Sequence, residues 1–132
     1  MLSQLREIVE HVSRVEDVST ALDILVKETC SAMQTECCTV YLANNDMQRL
    51  ELMATQGLIF KGNSIHIGFD EGLVGLVKRS AEPINLAQAS AHPAYKFFPE
   101  LGEKVYHSFL GTPIIHRKQV LGVLVIQQKS PR

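Results

Sequence analysis

Cysteine is scarce in this chain and poorly placed for chemistry. Cys30, Cys37 and Cys38 are the only three among 132 residues, an odd number without the C-x-x-C spacing of a metal site. Reduced thiols in a cytoplasmic protein account for them. Cys37 and Cys38 are neighbours on an expected strand, so their side chains point to opposite faces and share no ligand. An excess of one charge is also missing, since 13 Lys and Arg stand against 14 Asp and Glu for a formal net charge of −1. That leaves no basic footprint for nucleic acid as a partner. No apolar run approaches the length that spans a membrane. Residues 1–12 are amphipathic rather than continuously apolar, which argues against a secretion signal.

Catalytic constellations are lacking too. An enzyme needs a nucleophile, a base and an orienting group that converge. His11, His66, His92, His107 and His116 are scattered, with no His-x-x-x-His or Glu-x-x-His spacing. A dyad of His66 with Asp70 would have to form across a turn and has no further support. Each histidine reads as a surface or pocket-lining residue, and no metal or cofactor is implied.

What is present is the material of one folded domain. Apolar residues make up 45% and charged residues 20%, which is globular rather than disordered composition, and the length suits a single sizeable core. Leu2, Leu5, Ile8, Val9, Val12 and Val15 recur at three- and four-residue steps and predict a first helix with one apolar stripe. Either the domain's own sheet or the same helix of a second subunit must cover that stripe. Asp17 is a plausible N-cap for a second helix carrying Val18, Leu22, Leu25, Val26, Thr29 and Met33.

After Glu36 the period changes to two. Cys38, Val40 and Leu42 alternate with Cys37, Thr39 and Tyr41, Asn44-Asn45-Asp46 turns the chain, and Leu50, Leu52 and Ala54 complete a hairpin that ends at Gly57. A third strand runs from Ser64 to Phe69. There Asp70-Glu71-Gly72 makes a tight turn into a helix read from Leu73, Leu76 and Val77. The first N–H groups of that helix lack helical partners and sit in the positive field of its dipole, which suits a carboxylate or phosphate. The competing reading is that Asp70 serves only as a cap with nothing bound. A short extended piece surrounds Pro83-Ile84-Asn85. From Ala87 to Tyr106 no period is visible, yet Tyr95, Phe97, Phe98 and Tyr106 gather there. A connection of this length is uncommon unless it is a binding loop or a lid, and its aromatics argue against disorder. The plainer reading is a loop whose aromatics plug the edge of the core. Phe109 to Ile115 and Val120 to Gln127 flank the turn His116-Arg117-Lys118-Gln119, and the second of these strands is apolar on both faces, as a central strand should be. The expectation is an α+β domain spanning 1–132, with N-terminal helices over 2–35 and a sheet plus lid over 37–128. It has five or six antiparallel strands, helices on one face and the lid on the other.

This order of elements resembles a GAF domain (profilin-like) over essentially the whole chain. The supporting residues are Cys38-Thr39-Val40-Tyr41-Leu42, Gly72-Leu73-Val74-Gly75-Leu76-Val77, Pro83-Ile84-Asn85-Leu86, Ser108-Phe109-Leu110-Gly111-Thr112-Pro113-Ile114-Ile115 and Leu121-Gly122-Val123-Leu124-Val125. Met1 to Val9, Ala21 to Val26, Phe69 to Gly72 and Gly111 to Arg117 are similar to enzyme I of the bacterial nitrogen phosphotransferase system, a family of phosphoenolpyruvate–protein phosphotransferases. The resemblance implies a regulatory sensor module of such an enzyme in the cytoplasm. Its catalytic domains would lie on the same polypeptide, with the catalytic histidine outside this chain, and its ligand would be glutamine or 2-oxoglutarate. The family leads one to expect a basic residue at position 107, where His107 stands.

A small acid between sheet and lid would place its carboxylate toward the N–H groups of Gly72, Leu73 and Val74. The rest of the pocket would come from Tyr41, His66, Asn85, Tyr95, Phe97, Tyr106, His107, Ser108 and Thr112. A ligand-free dimerisation module, self-associating through the first helix, is the competing reading. Some GAF domains are free methionine sulfoxide reductases or bind bilins covalently. Nothing after Cys38 is a cysteine, so a lid thiol for either is absent. Phe69-Asp70-Glu71 echoes only part of the cyclic-nucleotide signature, and no Gly-His-Thr phosphotransfer motif occurs.

Overall fold

Six antiparallel strands in one sheet organise the computed structural model, which describes residues 4, 18–57, 65–96 and 106–129. Helix α1 spans Val18–Ala32, β1 Cys37–Asn44, β2 Arg49–Gln56, β3 His66–Gly68, α2 Gly72–Ser80, β4 Ile84–Leu86, β5 Ser108–His116 and β6 Gln119–Gln128, with a 3-10 turn at Ala89–Ala91. The expected first helix over 2–15 and the N-cap Asp17 lie outside the described residues apart from Gln4, and so do Ser64 and residues 97–105 of the lid. The strand order is β3-β2-β1-β6-β5-β4. The central pair is therefore β1 and β6, each with apolar side chains on both faces.

Helix α1 buries the stripe that its spacing forecast: Leu22, Leu25 and Val26 are at most 3% exposed. Each such side chain taken fully out of water is worth roughly 1.5–3 kcal/mol. The helix stops at Gln34, whose left-handed φ of 51° turns the chain while Thr35 N donates across the helix end to Cys30 O at 3.1 Å. Thr35 Oγ1 then donates to Gln127 O at 3.1 Å, fastening the turn to β6.

The sheet divides its side chains between two cores. Cys38, Val40, Ala54, Leu124 and Ile126 pack under α1. Tyr41, Leu50, Ile67, Phe109, Val123 and Val125 face the other way, under Leu73, Val74 and Val77 of α2 and Ala89 of the 3-10 turn. Strict alternation would have put Leu50 and Ala54 on one side. A bulge prevents this: Val40 pairs with Ala54 and Tyr41 with Leu52, so Met53 is the extra residue and the parity of β2 flips. The helices also divide between the faces. Helix α2 shares the lid's side because it follows β3 within three residues, Phe69 to Glu71, and its stripe meets Phe109 and Val123.

Glycine is required where strands crowd. A Cβ on Gly122 would stand 2.1 Å from Tyr41 O, so the β1–β6 ladder closes only without one.

Candidate functional site

The turn from β3 into α2 builds one wall of a pocket. Glu71 is the N-cap, in extended conformation, and Gly72 follows with φ of +63°, a left-handed value that glycine adopts without steric penalty. Neither Asp70, which is exposed, nor the side chain of Glu71 caps the helix. Glu71 instead turns back, its Oε1 accepting from Gly68 N at 2.9 Å, and its other carboxylate oxygen pairs with the ammonium of Lys96. The Lys96 bond, and next the Gly68 N–H, hold the Glu71 carboxyl below the usual carboxylate range. Arg79 donates to Phe69 O, and Lys78 Nζ lies 4.1 Å from the centre of the Phe69 ring, so the turn is tied to its own helix.

The pocket itself opens between α2 and the sheet. Leu73 and Val74 come from α2, Ile67 from β3, Tyr41 from β1, Phe109 from β5, and Val125 and Gln127 from β6; Ala89, Tyr95, Lys96 and Tyr106 close the far side. Its volume is about 30 Å³, more than the roughly 10–15 Å³ that one water needs. Apolar floor, three tyrosines, an amide and a single ammonium make up the wall, with no carboxylate or imidazole among the described residues. This is the usual make-up of a small-molecule site, mostly apolar with a few polar groups that orient the ligand. Ala89 N donates to His107 O at 2.7 Å and His107 N to Gln128 O at 2.9 Å, which ties the 3-10 turn and the start of β5 to the end of β6.

Of the residues expected to contact a ligand, Tyr41, Leu73, Val74, Tyr95 and Tyr106 come together on this wall. Gly72 is buried at the start of α2, next to the wall rather than on it. His66, Asn85, Ser108 and Thr112 face away. Ile67 sits in the pocket-side core, so its neighbour His66 points to the opposite face and is exposed. Asn85 alternates with Ile84 and Leu86, which pack on the pocket side, and is exposed as well. Ser108 and Thr112 share the side of Leu110 and Ile114, which pack toward α1, and Ser108 Oγ donates to Gln128 O at 3.4 Å. His107 is exposed, and Phe97 lies outside the described residues. Residue reasoning passed over Ile67, Ala89, Lys96, Phe109, Val125 and Gln127. Gln127 was within reach, because it continues the alternation of Val123 and Val125.

Among the described residues no three His, Cys, Asp or Glu side chains are grouped to hold a metal ion, and no helix is long and apolar enough to cross a membrane.

The family model of the GAF domain matches residues 17–132. The chain is 53% identical over 121 residues to a protein of the phosphoenolpyruvate-dependent phosphotransferase system of Escherichia coli (strain K12), covering 91% of this chain and 16% of that protein. The same figures hold for its counterpart in Salmonella typhimurium. The chain thus spans about one-sixth of the length of these curated relatives. Among solved structures, the GAF domain of a phosphoenolpyruvate-protein phosphotransferase from Coxiella burnetii is 43% identical with a TM-score of 0.81, over 98% of this chain and 77% of that one. The GAF domain of the Acinetobacter phosphoenolpyruvate-protein phosphotransferase is 37% identical with a TM-score of 0.80, over 99% of this chain and 78% of that one. The chain belongs to the GAF-domain family, in the group carried by phosphoenolpyruvate–protein phosphotransferases.

Proposed function

We propose that this chain is the regulatory small-molecule-binding module of a phosphoenolpyruvate–protein phosphotransferase of the nitrogen phosphotransferase system, and that it senses glutamine or 2-oxoglutarate in the cytoplasm. The observation that carries the reading is the pocket between β1, β6 and α2, with Tyr95, Lys96 and Tyr106 across its mouth. A ligand enters past the Tyr95–Lys96 side of the wall and displaces it. That displacement is the signal. The chain itself performs no phosphotransfer; the catalytic histidine belongs to further domains of the same polypeptide. A coupling of about 1–3 kcal/mol between this pocket and those domains changes their activity several-fold. Calorimetric titration of the chain with each metabolite, together with its melting temperature, is the test. Heat and a raised melting temperature with one of them are expected. The absence of both effects at millimolar concentration overturns the assignment.

A homodimer is a second reading. Ile24 is 51% exposed on the outer side of α1, whereas Leu22, Leu25 and Val26 of the same helix are buried. An apolar residue there suits contact with an N-terminal helix, its own or that of a second copy.

A further inference from the structure

Resting on the reading of the pocket as a metabolite site, we infer that Lys96 selects an anionic ligand there by exchanging Glu71 for the ligand's carboxylate. Lys96 is the single charged side chain on the pocket wall among the described residues, while its partner Glu71 lies off the wall at the N-cap of α2. The exchange therefore moves one flexible ammonium between a carboxylate outside the cavity and a carboxylate within it. The resident pair is well solvated, with side chains 51% and 38% exposed, so water screens it and its net strength is small. A carboxylate seated against Leu73, Val74 and Phe109 meets the same ammonium under weaker screening, where the attraction is larger. A neutral group offers no such gain, so the exchange discriminates by charge. Glu71 does not lose all its partners on release, because its Oε1 remains on Gly68 N at 2.9 Å. Tyr41, Tyr106 and Gln127 line the same pocket with hydroxyl and amide groups and bring no competing negative charge.

The inference separates a dicarboxylate from an amino acid. Both ligands offer Lys96 a carboxylate, but the ammonium of an amino acid is attracted to a charged Glu71 nearby, whereas the second carboxylate of a dicarboxylate is repelled by it. Glu71→Gln therefore acts in opposite directions on the two. Isothermal titration of the 132-residue chain, Lys96→Gln and Glu71→Gln with 2-oxoglutarate and with glutamine reads the difference, and circular dichroism melts show that the partly exposed substitutions leave the fold intact. Expected are tighter binding of 2-oxoglutarate than of glutamine, a weakening of the former by about tenfold (1.4 kcal/mol) in Lys96→Gln, and a several-fold tightening in Glu71→Gln. Unchanged 2-oxoglutarate affinity in Lys96→Gln overturns the role of Lys96 and leaves the sensing role standing. Glutamine as the better ligand, with binding weakened by Glu71→Gln, also overturns it. Absence of binding by the unsubstituted chain to either probe removes both readings together.

Discussion

Cys38 lies under α1 with no solvent exposure, and its burial, reinforced by nearby Cys30 and Cys37, pushes the thiol up to about 12. At neutral pH it is a small apolar side chain, since only a thiolate is a nucleophile. Cys37 is equally buried on the opposite face, its Sγ 3.7 Å from Thr39 Oγ1, which is itself 2.9 Å from Thr55 Oγ1. Cys30 differs: it is partly exposed, and its thiol donates to Thr35 O at 3.0 Å at the end of α1. Burial raises its pKa as well, so it reacts slowly, but a reagent can reach it. Alkylation of the folded chain with iodoacetamide at mildly alkaline pH is expected to label Cys30 first, and Cys37 and Cys38 only on unfolding. Peptide mass spectrometry checks this. Rapid labelling of Cys37 or Cys38 in the folded state would contradict the packing described and reopen a thiol chemistry.

Between β5 and β6, the two residues of the hairpin turn both hold left-handed backbone, Arg117 at φ 50° and Lys118 at φ 66°. The sheet's twist demands a turn of this hand, which asparagine and glycine fill far more easily than two long side chains. The element is formed all the same because the flanking strands hold it. Nine pairs of β5 with β6 run from Ser108↔Gln128 to His116↔Gln119, and the tertiary packing of Leu124 and Val125 sits behind them. Local preference is thus overruled here, whereas at Gly72 it is obeyed. The double substitution Arg117→Asn, Lys118→Gly is expected to stabilise the chain by about 1 kcal/mol, after the loss of unfolded-state restriction that glycine brings. Chemical denaturation with an unchanged slope measures it. A drop in the midpoint would show that the two basic residues make contacts worth more than the backbone relief.

For the whole molecule, the sheet is a partition. The α1 face is packed by aliphatic side chains and carries no pocket lining, whereas the α2 face holds every residue of the pocket. Ligand events therefore belong to one side. The two sides meet at the end of β6, where Gln127 offers its side chain to the pocket and its carbonyl to Thr35 Oγ1 behind α1. Static light scattering on the full chain and on one beginning near Asp17 tests the dimer: the full chain is expected at twice the monomer mass and the shortened one at the monomer mass, still folded. A full chain that scatters as a monomer dismisses the second reading without touching the pocket.

Sequence by itself determined which segments are strands and helices, because a change of apolar period from 3.6 to 2 after Glu36 and an apolar run such as Val120 to Ile126 reflect the geometry of a single element. It also determined the strand-to-helix turn, since Gly72 was the residue able to take a left-handed φ. Only the tertiary structure decided the faces. The bulge at Met53 reverses parity partway along β2, and the side on which β4, β5 and β3 present alternate residues follows from what packs against them. That is why Tyr41, Leu73, Val74, Tyr95 and Tyr106 were legible as pocket residues while His66, Asn85, Ser108 and Thr112, of equally suitable chemistry, point elsewhere. Lys96 had no local signal, because a wall that a lid segment helps to make exists only once the chain has closed on itself.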